Sequence, residues 1–158
     1  MITINKRKLI TALLTLFLLT IIILLISYFF ITQKKLIGPV LIILGFLSLL
    51  PLRLFNIPTE ILKAEIIFGI IDNGVLAIFA LSGAELFGIL GAIIGSLVGN
   101  AITDGFAGIF EGYEWNKISE LNLKGKRTIL TVSLGKLSGC LLGGGVILTI
   151  AWSILNFM

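Results

Sequence analysis

Two aspartates, each with amide or hydroxyl residues close by, lie within long apolar segments of this sequence. Asp72 is followed by Asn73, and a second group contains Asn100, Thr103 and Asp104. Carboxylate, amide and hydroxyl oxygens are the ligands that hard cations such as Na⁺, Ca²⁺ and Mg²⁺ prefer in proteins. The sequence therefore predicts that these five residues form a binding site for a hard cation.

A charged side chain near the centre of a bilayer costs about 2.5–3.5 kcal/mol on insertion scales. The alternative interpretation is that these polar groups only hold helices together, with Lys136 neutralising one acid. Two aspartates, each beside an amide, favour an ion site over this alternative.

Three further charged residues are candidates for a second layer or an ion pathway. Glu65 precedes Asp72 by seven residues, and Glu111 follows Asp104 by seven, so each shares a helical face with its aspartate. Lys136 can pair with Glu111 or extend to the membrane surface.

The elements that position these residues are predicted to be transmembrane helices, because about 20 apolar residues suffice to cross a bilayer. The fold class is all-α and polytopic, with about five spans. The alternative is four spans and a re-entrant segment, since Pro39 and Pro51 interrupt the second apolar run. The predicted helices are 9–32, 36–55, 61–82, 86–113 and 128–156.

Two parts of the chain are distinguished by composition. Residues 1–58 form N-terminal apolar helices, and 59–158 form a glycine-packed core of three helices. With five spans, the N-terminus, the Arg53 loop and the 114–127 loop share one side. That side carries most of the Lys and Arg residues, so it is predicted to be cytoplasmic.

Composition excludes several classes of protein. Hydrophobic residues make up 58% of the 158 residues and charged residues 13%, and the mean hydropathy is +1.16. The basic residues lie between apolar runs, which indicates membrane-surface loops and no nucleic-acid partner. There is no histidine and one cysteine. No nucleophile–base pair or phosphate-binding motif is present, so we predict that the protein is not an enzyme and has no covalent cofactor.

Glycines recur every fourth residue in the last two predicted helices. Such stripes allow helix backbones to approach closely, within one subunit or between two. They predict tight packing and a homodimer formed through the stripes, in addition to contact with the lipid bilayer. The stripes are Gly91, Gly95 and Gly99, and Gly135, Gly139 and Gly143.

The third and fourth predicted helices are joined by a short link around 83–85. If they are antiparallel, Asp72 and Asn100 both lie about 20–22 Å from that end, at 1.5 Å per residue. The same count places Glu65 opposite Asp104. The two polar groups are therefore expected to face each other.

The motifs at 68–73, 99–105 and 135–143 resemble those of the transmembrane protein 65 family, from residue 65 onward. The family pattern pairs a Phe-Gly-Phe-x-Asp-Asn helix with a later Gly-Asn-x-x-Ser-Asp. Mitochondrial members are linked to sodium–calcium exchange, so the resemblance implies cation transport through the five residues above. Thr103 replaces the usual serine and keeps the hydroxyl.

The resemblance also has a difference that bears on location. Residues 9–55 supply apolar helices where mitochondrial members have a transit segment. This predicts a prokaryotic-type relative in the cell membrane rather than in the mitochondrial inner membrane. The functional prediction is a sodium/calcium-type transporter or antiporter, and the alternative is a non-transporting accessory or regulatory subunit of a larger membrane complex.

Overall fold

The computed structural model describes residues 6–54, 59–120 and 128–157 of the chain. The side chains of residues 8, 53–54, 59–61, 108 and 110–120 are outside that description. The described part is helical and contains no strand. Its elements are α1 (Lys6–Phe30), α2 (Lys34–Leu47), α3 (Leu50–Leu54), α4 (Thr59–Glu120) and α5 (Ile129–Leu148), which continues into a π-helical turn (Thr149–Ile154).

Helix α4 reverses direction in its middle, at Phe87 and Gly88. Gly88 has a φ of 63°, a left-handed conformation that glycine adopts without steric cost. We call residues 59–86 the first arm of α4 and residues 89–120 the second arm. The arms pack antiparallel, because Gly91 contacts Gly83 and Gly95 contacts Phe79. The reversal therefore follows the predicted link at 83–85 by about three residues.

Helix α5 packs parallel to the first arm of α4, with glycines at the points of closest approach. Gly139 lies against Ile66, and one turn later Gly143 lies against Ile70. At Gly69 an added Cβ would lie 2.7 Å from the carbonyl oxygen of Lys136. The two backbones are therefore in contact, and no side chain fits between them.

Helix α2 packs antiparallel to α5 on its other side. The Ser138 hydroxyl donates a hydrogen bond of 2.8 Å to the carbonyl of Gly45, and that of Ser153 donates one of 2.8 Å to the carbonyl of Lys35. Pro39 lies inside α2, and the helix continues through it. Helix α5 is thus enclosed between α2 and the first arm, so part of the N-terminal segment 1–58 packs directly on the core assigned to 59–158.

Helix α5 begins at a cap that two threonines form. Thr128 caps the helix in a reciprocal arrangement with Thr131: its hydroxyl accepts from the Thr131 amide at 3.3 Å, and its own amide donates to the Thr131 hydroxyl at 2.8 Å. Such caps satisfy amides that have no partner in the first turn of a helix. The beginning of the last helix near 128 was therefore correctly predicted.

The surface of this helical assembly is apolar to an extent that a water-soluble protein does not tolerate. Large side chains such as Phe17, Leu90 and Ile109 are more than half exposed. Within the described residues, four helical segments are long and apolar enough to cross a membrane, which is compatible with a multi-pass membrane protein. They are Leu9–Phe30, Lys34–Leu52, Leu62–Ala107 and Ile129–Ile154.

Both glycine stripes are in contact with the same chain. Gly95 and Gly99 of the second arm face Phe79 and Leu76 of the first arm, and the stripe on α5 faces the same arm from another side. These surfaces are therefore covered within the subunit. The predicted homodimer through the glycine stripes stays a prediction.

Candidate functional site

A hydrogen bond between two predicted site residues connects the arms of α4. The hydroxyl of Thr103, on the second arm, donates to the carboxylate of Asp72, on the first arm. The Thr103 side chain is 5% exposed and Asp72 is half-buried. Because the reversal lies at Gly88, the partner of Asp72 is Thr103, one turn beyond the predicted Asn100.

The Thr103 hydroxyl has a choice of acceptors. The carbonyl oxygens of Gly99 and Asn100 lie 3.2 Å and 3.0 Å away, in the preceding turn of the same helix. A hydroxyl donates one proton at a time. If a cation takes the place of that proton at Asp72, the hydroxyl can donate to its own helix and offer its lone pairs to the ion.

The second aspartate lies in an adjacent part of the second arm. The Asn100 amide donates a hydrogen bond of 2.8 Å to the Asp104 carboxylate, four residues later on the same helix. Asn100 is half-buried and Asp104 is exposed. The pair holds the carboxylate in a fixed orientation on the outside of the α4 hairpin.

The polar residues lie near the middle of the helical layer. Gly143 of α5 contacts Ile70, and Ile147 of α5 is the neighbour of Gly74. Asp72 is therefore level with the residues of α5 that lie between Gly143 and Ile147. Those residues are close to the middle of the apolar segment Ile129–Ile154. Thr103 shares this level through its hydrogen bond, and Asp104 is the next residue. This depth is where polar groups are most expensive in a membrane protein.

The other predicted residues have different surroundings. Glu65 is 5% exposed and lies against Gly135 of α5, and Lys136 places its ammonium 5.2 Å from the centre of the Phe68 ring, within cation–π range. Asn73, the neighbour of Asp72, is half-buried. Glu111 lies in the second arm, but its side chain is outside the described residues.

The register of the hairpin does not place Glu65 opposite Asp104. Because Asp72 is opposite Thr103, Asp104 is level with the residue just before Asp72. That residue is about one and a half helical turns nearer the reversal than Glu65 is. The predicted pairing of these two acids is therefore wrong. Glu65 belongs to the contact between the first arm and α5.

In the described part of the chain, acidic side chains alone do not form a metal centre. Among the described residues, no group of three or more His, Cys, Asp or Glu side chains is close enough to hold a metal ion. The oxygen atoms that the structure brings together are those of the Asp72 carboxylate, the Thr103 hydroxyl and the carbonyls of Gly99 and Asn100, whereas the Asp104 carboxylate lies on the outside of the hairpin. Such a ligand set suits ions that bind weakly and exchange quickly better than a permanently bound metal.

An apolar groove beside the Asp72–Thr103 bond was not predicted. It has a volume of about 550 Å³ and is lined by residues of both arms, among them Phe68, Val75, Phe106 and Thr103. In the sequence, Phe68 precedes the motif of Asp72 and Phe106 follows the motif of Asp104. This placement is the sequence signal from which the groove could have been predicted. The groove brings an apolar surface, suited to lipid, next to the polar cluster.

Comparisons with known proteins identify no relative of this chain. No family model, no curated protein and no solved structure matches it. The resemblance to the transmembrane protein 65 family therefore stays a prediction, which rests on the three motifs alone.

The role of the Thr103 hydroxyl can be tested by two substitutions of similar size. Thr103→Ser keeps the donor and, on the prediction that the protein transports cations, is expected to retain that transport. Thr103→Val removes it, leaves the Asp72 carboxylate without this partner, and is expected to lower transport at least about tenfold, equivalent to 1.4 kcal/mol. Initial rates in proteoliposomes measure this difference. Equal rates for the serine and valine variants would exclude a role for the hydroxyl.

Proposed function

We propose that this protein is a membrane transporter or exchanger of hard cations of the sodium/calcium type. The observation that carries the proposal is the Asp72–Thr103 hydrogen bond between two antiparallel arms, at the level of the middle of the apolar layer. The Asn100–Asp104 pair adds a second carboxylate and an amide on the same arm. Intramembrane carboxylates commonly mark ion pathways.

The proposed topology has five crossings of the bilayer, with a glycine-packed core. The long segment Leu62–Ala107 supplies two of them, because α4 reverses at Gly88. The segment Lys34–Leu52 is one crossing, since α2 runs antiparallel to α5 and packs against it at Gly38 and Gly45. The basic N-terminus, the Arg53 loop and the 114–127 loop then lie on the cytoplasmic side of a prokaryotic-type cell membrane.

The mechanism of exchange follows from charge balance. The Asp72 carboxylate can balance part of the charge of Na⁺ or Ca²⁺, so either ion can occupy its oxygen atoms in turn, and the Asp104 carboxylate adds a second negative charge one residue beyond Thr103. The Thr103 hydroxyl couples ion binding to the packing of the two arms, because the hydrogen bond that it donates to Asp72 competes with ion binding. Loss of that bond would loosen the contact between the arms and allow the site to open. The transported ion is the proposed ligand, with Mg²⁺ as a further candidate, and no covalent cofactor or enzymatic reaction is proposed.

Cation binding to the purified protein tests this proposal. Equilibrium binding of radioactive Na⁺ and Ca²⁺ in detergent is expected to saturate, with each ion displacing the other. Asp72→Asn is expected to abolish this binding. Glu85→Gln is the matched control: Glu85 is exposed on the same arm but lies close to the reversal, so removal of its charge should leave binding unchanged. Equal binding by all three proteins would overturn the assignment of the site.

The exposed carboxylate of Asp104 supports a second candidate, an accessory or regulatory subunit of a larger membrane complex. In that case a different protein covers this side chain, and the purified chain binds no cation alone. Affinity purification after crosslinking in native membranes distinguishes the two candidates. A stoichiometric foreign partner together with absent cation binding would favour the accessory role.

A further inference from the structure

Lys136 carries a positive charge inside the apolar layer, close to the proposed cation site. It lies seven residues into the segment Ile129–Ile154, about 10 Å from its beginning at 1.5 Å per residue. Its side chain is half-buried, and its ammonium lies 5.2 Å from the centre of the Phe68 ring. Salt and water screen a partly buried charge less than a surface charge. The electric field of Lys136 therefore extends to neighbouring groups in the layer.

Two observations place Asp72 within reach of this field. Phe68, whose ring contacts the ammonium, precedes Asp72 by four residues and shares a face of the first arm with it. The Cys140 side chain, one turn after Lys136 on α5, interacts electrostatically with both Lys136 and Asp72. Cys140 itself adjoins the first arm, since an added Cβ at Gly69 would lie 2.7 Å from its backbone nitrogen. The ammonium and the Asp72 carboxylate are therefore both close to the part of the interface around Cys140.

Glu65 does not cancel the charge of Lys136 at Asp72. Its side chain is 5% exposed and lies against Gly135, the neighbour of Lys136 in α5. Glu65 precedes Asp72 by seven residues, about 10 Å along the helix axis. Phe68, which the ammonium contacts, precedes Asp72 by four residues, about 6 Å along that axis. Because Coulomb interactions weaken with distance, the positive charge acts more strongly on an ion at Asp72 than the negative charge of Glu65 does.

We propose that Lys136 sets the preference between monovalent and divalent cations at Asp72. This inference rests on the proposed cation transport. The energy of repulsion between two charges is proportional to each of them, so a fixed ammonium disfavours Ca²⁺ by twice the free energy by which it disfavours Na⁺. Lys136 does not touch the ion, and it acts through its field alone. The charge weakens the hold of the carboxylate on a divalent ion, so that Na⁺ can displace Ca²⁺ at the same oxygen atoms.

Two substitutions separate the charge of Lys136 from its packing. Lys136→Met removes the charge and keeps an unbranched chain that can pack on Phe68, whereas Lys136→Arg keeps the charge and the contact with the ring. The measurement is equilibrium binding of radioactive Na⁺ and Ca²⁺ to the purified protein in detergent. We expect Lys136→Met to bind Na⁺ about threefold and Ca²⁺ about tenfold more tightly, because doubling a free energy squares the affinity ratio. Lys136→Arg is expected to retain both native affinities.

Substitutions at two other charged residues complete the test. Lys63→Met is the matched control, because Lys63 is exposed near the beginning of the first arm, and it should leave both affinities unchanged. Glu65→Gln removes a buried negative charge from the same interface as Lys136, so it is expected to act in the opposite direction. Both affinities should decrease, with the factor for Ca²⁺ close to the square of the factor for Na⁺. This variant also tests the proposal if Lys136→Met does not fold.

The results that would overturn the role of Lys136 differ from those that would overturn the proposed function. Unchanged or lower affinities in Lys136→Met, or the same factor for both ions, would reject the role of its charge and leave the site at Asp72 in place. The same shift in Lys63→Met would also reject that role, because the effect would then not depend on position. A native protein that binds neither ion would reject the cation site, and the role of Lys136 with it.

Discussion

Replacement of Asp72 by asparagine is expected to abolish cation flux through the purified protein while its fold is preserved. The asparagine side chain has nearly the same shape, and its carbonyl oxygen can still accept the hydrogen bond from Thr103. The substitution therefore removes the negative charge and little else. Two unit charges 4 Å apart attract by about 4 kcal/mol at an effective dielectric constant of 20. A loss of that order corresponds to more than about a hundredfold in cation affinity.

The controls for this prediction separate charge from structure. Glu85→Gln removes one carboxylate from the same arm, close to the reversal, and should leave the flux unchanged. The thermal unfolding temperature of Asp72→Asn without cation should equal or exceed that of the native protein, because a half-buried charge no longer has to be accommodated in the apolar layer. Native rates of flux in Asp72→Asn would show that this carboxylate is only a contact between helices.

The second large effect is expected at Gly139, where α5 meets the first arm. A Cβ at this position would overlap the backbone around Ile66, and the Cα of Gly69 would be only 3.0 Å away. Gly139→Ala therefore forces the two helices apart. Over-packing of this kind typically costs about 1–3 kcal/mol. The measurement is the unfolding temperature in detergent, which is expected to fall by several degrees, at about 2–4 °C per kcal/mol for a chain of this size.

Gly144→Ala is the matched control, since its Cβ would meet no atom of the described residues within 4 Å. It replaces a glycine only five residues later on the same helix and should leave the unfolding temperature nearly unchanged. An equal decrease for both variants would indicate a general effect on helix α5. The absence of any decrease for Gly139→Ala would contradict the close approach of α5 to the first arm.

The existence of the helices was predictable because long apolar runs leave few alternatives. The position of the reversal was harder to predict. Gly83, Gly88 and Gly91 all occur near the link, and each is compatible with a turn. Only Gly88 takes the left-handed conformation, whereas Gly83 and Gly91 provide the contact between the arms. Local sequence does not distinguish these uses of glycine, because the difference depends on which helices pack together.

The reversal at Gly88 follows the predicted link at 83–85, and this shift changes which residues of the two arms lie opposite each other. The sequence placed all of its key residues on two neighbouring helices, and the contact between Asp72 and the second polar group is present. The choice of Thr103 over Asn100 as the partner depends on a register that a single sequence does not specify. The outward position of Asp104 was also not predicted, since its helical face is defined only when the contact at Gly99 is known.

The packing of α2 against α5 was missed for a related reason. The predicted division at residue 58 followed composition, which changes there from apolar helices to polar motifs. The actual contacts depend on small side chains, with Ser138 donating to the carbonyl of Gly45 across the interface. Serine and glycine at these positions carry no local signal for a particular neighbour.

The most direct test of the proposed function is cation flux by the purified protein alone, reconstituted in liposomes. Ca²⁺ uptake is followed with a trapped fluorescent dye while a Na⁺ gradient is imposed in either direction. The predicted result is uptake that requires the gradient, reverses with its direction and is absent from liposomes containing Asp72→Asn. Uptake no faster than in protein-free liposomes, under every Na⁺ and Ca²⁺ gradient applied, would contradict transport by this protein.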